Sequence, residues 1–231
     1  MENNGTYETV DVINTLVNDE IVVTNIRKVY VNNILNLVEY KNQEGKLHRD
    51  SNSPEGDGPA QITYNAKTEK IEFEKWYKDG KLHRDGDLPA IISYNSKIII
   101  KKCWYKDGKL HRDGNLPALI KYNSRGKWIE EECWYKNGKL HRDGDLPALK
   151  SYRGPGVINM LIWFKKGKEY RDIKNGPARK VYMYGSLDEV RYSIDEFEIK
   201  DRGIHDMLYK LQSLDDEEYK KYIELFNLLK K

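Results

Sequence analysis

The sequence predicts an all-β repeat protein, an elongated single sheet or solenoid of stacked antiparallel β-hairpins with a C-terminal helical cap. Three observations predict it. A long motif recurs several times along the chain, the copies are punctuated by tight-turn dipeptides, and the last forty or so residues switch to helical spacing.

The repeat is explicit. The segment from Trp76 to Ser96, WYKDGKLHRDGDLPAIISYNS, matches the segment from Trp104 to Ser124, WYKDGKLHRDGNLPALIKYNS, at 18 of 21 positions. A third copy begins at Trp134 and a worn one at Trp163. An earlier one survives as EYKNQEGKLHRD from Glu39 to Asp50, followed by GDGPAQITY from Gly56. The Leu of KLHRD falls at Leu47, Leu82, Leu110 and Leu140, in steps of 35, 28 and 30 residues. The extra length of the first step lies in SNSPEGDG, a loop by composition.

Each unit reads as strand, turn, strand. Asp79-Gly80, Asp107-Gly108 and Asn137-Gly138 are tight-turn signals, because two successive positive φ angles favour Asn or Asp before Gly. Asn95-Ser96 and Asn123-Ser124 mark a second turn. Between the turns lie strand-like runs rich in Ile, Tyr and Trp: Ala90–Tyr94, Ile98–Tyr105, Ala118–Tyr122 and Trp128–Tyr135. The Trp face of the longer strands also carries Glu74, Lys102 and Glu132, and the Tyr face carries Cys103 and Cys133, so the pattern leaves the wetter face open. Pro89, Pro117, Pro147 and Pro177 belong at strand starts or edges, since they cannot donate to a ladder. The Leu and Ala beside each Pro are expected to pack inward.

Three segments follow: residues 1–37 as N-terminal capping strands, 38–192 as five β-hairpin repeats, and 193–231 as a C-terminal helical cap. Glu20–Val23 and Arg27–Val31 are the strand-like pieces of the first. In the last, Leu214, Asp215, Glu218 and Tyr219 fit a hydrophobic staple around a capping box. Tyr219, Tyr222, Ile223, Phe226 and Leu229 then keep helical spacing. That helix reads as an end cap or as a docking element.

A composition that is 33% charged and 39% hydrophobic suits a thin core filled by 17 Tyr and 5 Trp. Basic and acidic residues, 40 and 37, are interspersed, so no block announces nucleic acid, and Glu130, Glu131 and Glu132 interrupt any stacking platform for a single strand. No nucleic-acid partner is expected. No apolar run reaches the ~18 residues a membrane helix needs, and Met1–Val10 has no apolar signal core. The expectation is a cytosolic or nuclear protein.

His-Arg-Asp occurs four times, as His48, Arg49 and Asp50; His83, Arg84 and Asp85; His111, Arg112 and Asp113; and His141, Arg142 and Asp143. Protein kinases use the same tripeptide, but their Gly-rich loop, Lys strand and DFG set are absent. Catalysis needs one asymmetric constellation, whereas four copies read as structure: an Arg–Asp pair and a His hydrogen bond tying each connector to its neighbour. Trp76, Trp104, Trp134 and Trp163 join these as repeat-stabilising residues. The Asp-Gly-Asp and Asp-Gly-Asn triplets lack a full Ca²⁺ loop and read as turns. Equivalent His residues two strands apart, ~9–10 Å, are too far apart to share one metal ion. No catalytic residue, metal or cofactor is expected. Cys103 and Cys133 sit at equivalent positions, too distant for a disulfide, and are expected as separate thiols.

At WYKDGKLHRDGDLPA the sequence resembles the MORN-type repeat proteins. Within them it is most similar to the variant branch of YwqK-like antitoxins, whose HRxDGPA-like copies occur in giant DNA viruses of the cytoplasmic lineage. The resemblance covers roughly residues 38–192. It implies a scaffolding or membrane-occupation role, and host cytoplasm or virion as the location if the source is viral. The usual MORN unit is shorter and centred on Tyr-x-Gly-x-Trp-x-x-Gly-x-x-His-Gly, from which this unit departs.

The function expected is a non-catalytic repeat scaffold that binds an unidentified protein partner. Contacts would come from side chains that vary between copies: Ser93, Lys121 and Ser151. The alternative is a peripheral membrane-surface binder of MORN type. A net charge of +3 makes that adsorption weak.

Overall fold

The computed structural model describes residues 5–17, 20–49, 56–194, 197–198, 217–218 and 221. Asp50 lies outside them, as does nearly all of the expected helical cap, including Leu214, Asp215 and the run from Tyr219 apart from Lys221. Glu217, Glu218 and Lys221 are helical.

The described residues are nearly all β, in antiparallel hairpins laid side by side in chain order. The chain divides into two compact units, Met1–Gly138 and Lys139–Lys231. In the first, the strand order follows the sequence: Thr6–Val17, Glu20–Val31, Ile34–Lys41, Gln61–Tyr64, Ile71–Lys75, Ile91–Asn95, Ile98–Cys103, Leu119–Tyr122 and Ile129–Cys133. In the second it runs Leu149–Gly154, Val157–Ile162, Arg179–Met183 and Ser186–Arg191.

The two turn signals have different structural jobs. Asp79-Gly80, Asp107-Gly108 and Asn137-Gly138 all carry the positive φ pair that a two-residue turn demands. They do not join the long strands. They close separate, smaller hairpins, Tyr77–Lys78 with Lys81–Leu82 and Tyr105–Lys106 with Lys109–Leu110. The long hairpins turn elsewhere. Between Asn95 and Ile98 the turn residues are Ser96 and Lys97, one position later than the Asn-Ser signal suggested. At Asn123 the loop is longer. The Asn123 side chain is buried and accepts from the Lys127 amide at 2.7 Å, while the Asn123 backbone N–H donates to the Trp128 carbonyl at 2.9 Å.

The long strands are also shorter than expected. They end at Cys103 and Cys133, and the Trp that follows leaves the ladder. The Trp104 amide donates instead to the Ala118 carbonyl at 2.8 Å, as Trp76 does to Ala90. Each long hairpin after the first shifts register just before a tyrosine: Tyr30, Tyr64, Tyr94 and Tyr122 in the first unit, Tyr152 and Tyr182 in the second. The inserted residue bends the strand and sharpens its twist.

Register settles which residues share a face. Glu74, Ile92, Lys102, Ile120 and Glu132 form one cross-strand row. Lys75, Ile91, Cys103, Leu119 and Cys133 form another, one residue along and therefore on the opposite face. The cysteines of the second row are buried. Ala60, Ala90, Ala118, Ala148 and Ala178 are fully buried, as the patterning demands. Their partner leucines are not: Leu88, Leu116 and Leu146 are 45%, 43% and 41% exposed. Before Leu88 and Leu116 the connector turns through two positive φ residues, Gly86 and Asp87, and Gly114 and Asn115, whereas before Leu146 only Gly144 takes positive φ.

The Glu20–Val31 strand, in the segment expected to cap the N-terminal end, carries a register shift before Tyr30 like that of the later hairpins. At the other end, buried Tyr192 occupies the Trp place, followed by a small hairpin, Ser193–Ile194 with Phe197–Glu198, at the start of the segment expected as the helical cap.

Candidate functional site

The connector from Trp to Ala carries a polar assembly built by one set of residues repeated. His83 Nδ1 accepts the Asp107 amide at 3.2 Å, and His111 Nδ1 accepts the Asn137 amide at 3.1 Å. His48 does the same with Asp79 at 3.1 Å, and His141 with Lys166 at 3.3 Å. A backbone N–H can only donate, so each Nδ1 is an acceptor and the proton sits on Nε2. From there it is donated to the aspartate two residues on: His83 to Asp85 at 3.0 Å, His111 to Asp113 at 2.9 Å and His141 to Asp143 at 3.0 Å. Both ring nitrogens are therefore engaged, one holding the next connector and one holding its own.

The arginine pairs with an aspartate, but not the one in its own tripeptide. Arg112 grips Asp87 of the preceding connector with two parallel bonds, Nε–Oδ1 2.8 Å and Nη2–Oδ2 2.9 Å. In the second unit Arg171 grips Asp145 in the same way, at 2.8 and 2.6 Å. Nη1 of each arginine points at the carbonyl of the coming proline: Arg84 to Pro89 at 3.4 Å, Arg112 to Pro117 and Arg142 to Pro147 at 3.3 Å. The guanidinium also lies on an aromatic ring. The separations are 3.8 Å for Arg84 on Trp76, 3.9 Å for Arg112 on Trp104, 4.1 Å for Arg171 on Trp163, and 4.2 Å for Arg49 on Tyr40. All four repeat tryptophans are buried. The Trp104 and Trp134 indole N–H groups donate to the carbonyls of Asp87 and Asn115, at 3.0 and 2.9 Å.

Electrostatics follow from these contacts. The His83 hydrogen bond holds the Asp85 carboxyl below the usual range, and Lys78 adds to it. His111 and Lys106 do the same for Asp113. The Arg112 hydrogen bond lowers Asp87. Arg84, facing Asp57 rather than gripping it, has its pKa lowered by burial.

Sequence reasoning missed Asp87 and Asp145 as the arginine partners, and Tyr40 and Tyr192 as substitutes for Trp. The signal for the first was present: an Asp or Asn recurs three residues before each Leu-Pro-Ala alanine, at Asp87, Asn115 and Asp145. Of the expected contact residues, Lys121 is exposed and pairs with Glu130 at 3.2 Å. Ser151 is half-buried and accepts from Asn159 at 3.2 Å. Ser93 is only 6% exposed and drops out of any contact surface. It opposes Phe73 and Lys101, whose longer side chains flank it.

Successive connectors leave grooves between them. One of about 470 Å³ in the first unit is lined by His83, Arg84, Asp87, Leu88, Trp104, Arg112 and Leu116, among others. One of about 320 Å³ in the second unit is lined by the equivalent His141, Arg142, Asp145, Leu146, Trp163 and Arg171. Cys103 and Cys133 are separate thiols, both buried, each paired with Leu119 from opposite sides. Among the described residues no helix is long and apolar enough to cross a membrane. No protein-family model matches the chain, and neither does any curated protein or solved structure.

Proposed function

We propose that the chain is a non-catalytic repeat scaffold that holds a protein partner along its line of connectors. The observation that carries this reading is the recurrence of one groove with one lining, each offering an exposed leucine beside a buried Trp that carries a half-buried Arg. Such a surface suits a partner that presents apolar side chains at a regular interval, about 9–10 Å for connectors two long strands apart. Repetition adds avidity without needing any single strong pocket. The state of the histidines supports the non-catalytic part. A general base needs a free lone pair aimed at substrate, and each Nδ1 lone pair is occupied by a backbone N–H. The resemblance to MORN-type repeats agrees with a scaffolding role.

The test is affinity capture from the native source with wild-type protein and with a Leu88→Ser/Leu116→Ser/Leu146→Ser variant of unchanged circular dichroism. A stoichiometric partner held by the first and lost by the second supports the reading. Equal capture by both, or no partner at all, overturns it. Flotation of the chain with anionic liposomes in place of protein capture would favour the membrane-surface role.

A further inference from the structure

The first strand is built differently from every other, and its difference points to an interface. Thr6–Val17 is the terminal strand of its ladder, with Glu20–Val31 on one side and no strand on the other among the described residues. It pairs with its neighbour through twelve consecutive residues without a register shift, whereas each other long hairpin is bulged before its tyrosine. Proteins protect an open edge with bulges, proline or unpaired charge, above all lysine. This strand has no bulge, no proline and no basic residue. Each of its two acidic side chains is paired with a cation on the next strand. Glu8 is held by the Arg27 guanidinium, with Nε 3.0 Å from Oε2, and the Arg27 hydrogen bond lowers its pKa. Asp11 is held by Lys28 at 3.0 Å. Val10 and Val12, on either side of Asp11, are 60% and 58% exposed, and Tyr7 is exposed beside Glu8, stacked on Tyr30.

We propose that this edge pairs antiparallel with the same edge of a second copy, about a twofold axis at Val10, giving one sheet continuous across two chains. The sequence of the strand suits a copy of itself in one register. An antiparallel edge contact around a twofold axis sets residues of equal parity opposite each other. An axis at Asp11 would set the two Asp11 carboxylates face to face, which is unfavourable. Moving the axis to Val10 sets Val10 against Val10, Glu8 against Val12, Thr9 against Asp11, and Tyr7 against Ile13. No like charges then oppose, the two most exposed valines are covered, and the Thr9 hydroxyl meets a carboxylate. The proposal is separate from the connector grooves, which lie elsewhere in each repeat.

The test uses the full chain. Analytical ultracentrifugation at micromolar concentration is expected to give a dimer, and a monomer overturns the proposal. Val10→Lys places two ammonium groups opposite each other and is expected to weaken the dimer by about tenfold or more. Val10→Glu does the same. A 1:1 mixture of the two restores the dimer, which a merely unfolded variant could not do. Undiminished dimerisation of Val10→Lys, or no recovery on mixing two folded variants, overturns it. Register is read by oxidation. Residues directly opposite in an antiparallel pair have Cα atoms about 4.5–5.5 Å apart, within disulfide reach. Val10→Cys is therefore expected to cross-link the dimer and Val12→Cys is not. Cross-linking at Val12 instead overturns the axis assigned.

Discussion

Arg112 lies flat on Trp104, its guanidinium carbon 3.9 Å from the ring centroid, while its Nε and Nη2 grip Asp87 of the preceding connector. One side chain thus couples three segments: the ring of its own unit, the aspartate of the unit before, and the Pro117 carbonyl that leads into the next strand. Arg112→Ala is expected to lose about 1–2 kcal/mol, since a desolvated cation–π contact contributes roughly 0.5–2 kcal/mol and a half-exposed ion pair less than a buried one. Arg112→Lys keeps the charge but neither the fork nor the flat stack, so it should recover less than half of that loss. Urea midpoints of the two variants and of Asp87→Ala, combined as a double-mutant cycle, check it. Strict additivity of Arg112→Ala and Asp87→Ala would contradict the coupling.

His111 makes a narrower prediction. Its Nδ1 accepts the Asn137 amide, and an asparagine oxygen occupies nearly the same place as Nδ1. His111→Asn should keep that hydrogen bond, and His111→Ala should lose it at about 1 kcal/mol. Amide hydrogen exchange reads the difference at a single site. The Asn137 N–H should exchange faster in the alanine variant and near the wild-type rate in the asparagine variant. Equal protection in both would mean that the imidazole is not the acceptor.

Much of this fold was legible because the copies are nearly identical, and repetition turns weak local signals into strong ones. The Asp79-Gly80 turn and its successors were read correctly as tight turns. What they connect was not, because a dipeptide specifies a turn and says nothing of which ladder its arms join. The same limit explains Leu88 and Leu116. Hydropathy places a leucine inside, but two consecutive positive φ residues aim the chain outward before it, and φ is not written in apolar periodicity. The arginine partner was missed for a related reason. The nearest aspartate in sequence, Asp113, is drawn to His111 Nε2, leaving Arg112 to reach a residue one connector away.

Cys103 and Cys133 offer a check on the core. Both thiols are buried and burial pushes both pKa values up, with the Glu131 carboxylate adding to the effect at Cys133. Only the thiolate reacts. In native protein at pH 8 neither should be labelled by an aromatic disulfide reagent on the minutes scale, and two equivalents should react once urea unfolds the chain. Rapid labelling of one thiol in folded protein would show that its row of the sheet is open to solvent.

Acid should unfold the protein through carboxylates that the fold keeps charged. Burial by itself raises the pKa of Glu39. Hydrogen bonds from Arg27 at 2.9 Å and Gln61 at 3.0 Å, with Lys41 at 3.2 Å, outweigh that and bring it below the ordinary value. Asp87, held by Arg112, is lowered as well. A carboxyl whose folded pKa lies below its unfolded one contributes stability that is complete above the unfolded value, about 4, and is lost as pH falls through the folded value. The stability these two carboxylates contribute should therefore be constant from pH 7 to about 5, and the melting temperature should fall below about pH 4. Glu39→Gln removes one titrating group while keeping the shape and one acceptor. It should lower the neutral melting temperature and make the acid limb shallower, as Asp87→Asn should independently. An acid limb as steep in both variants as in the wild type would assign the acid sensitivity to other groups.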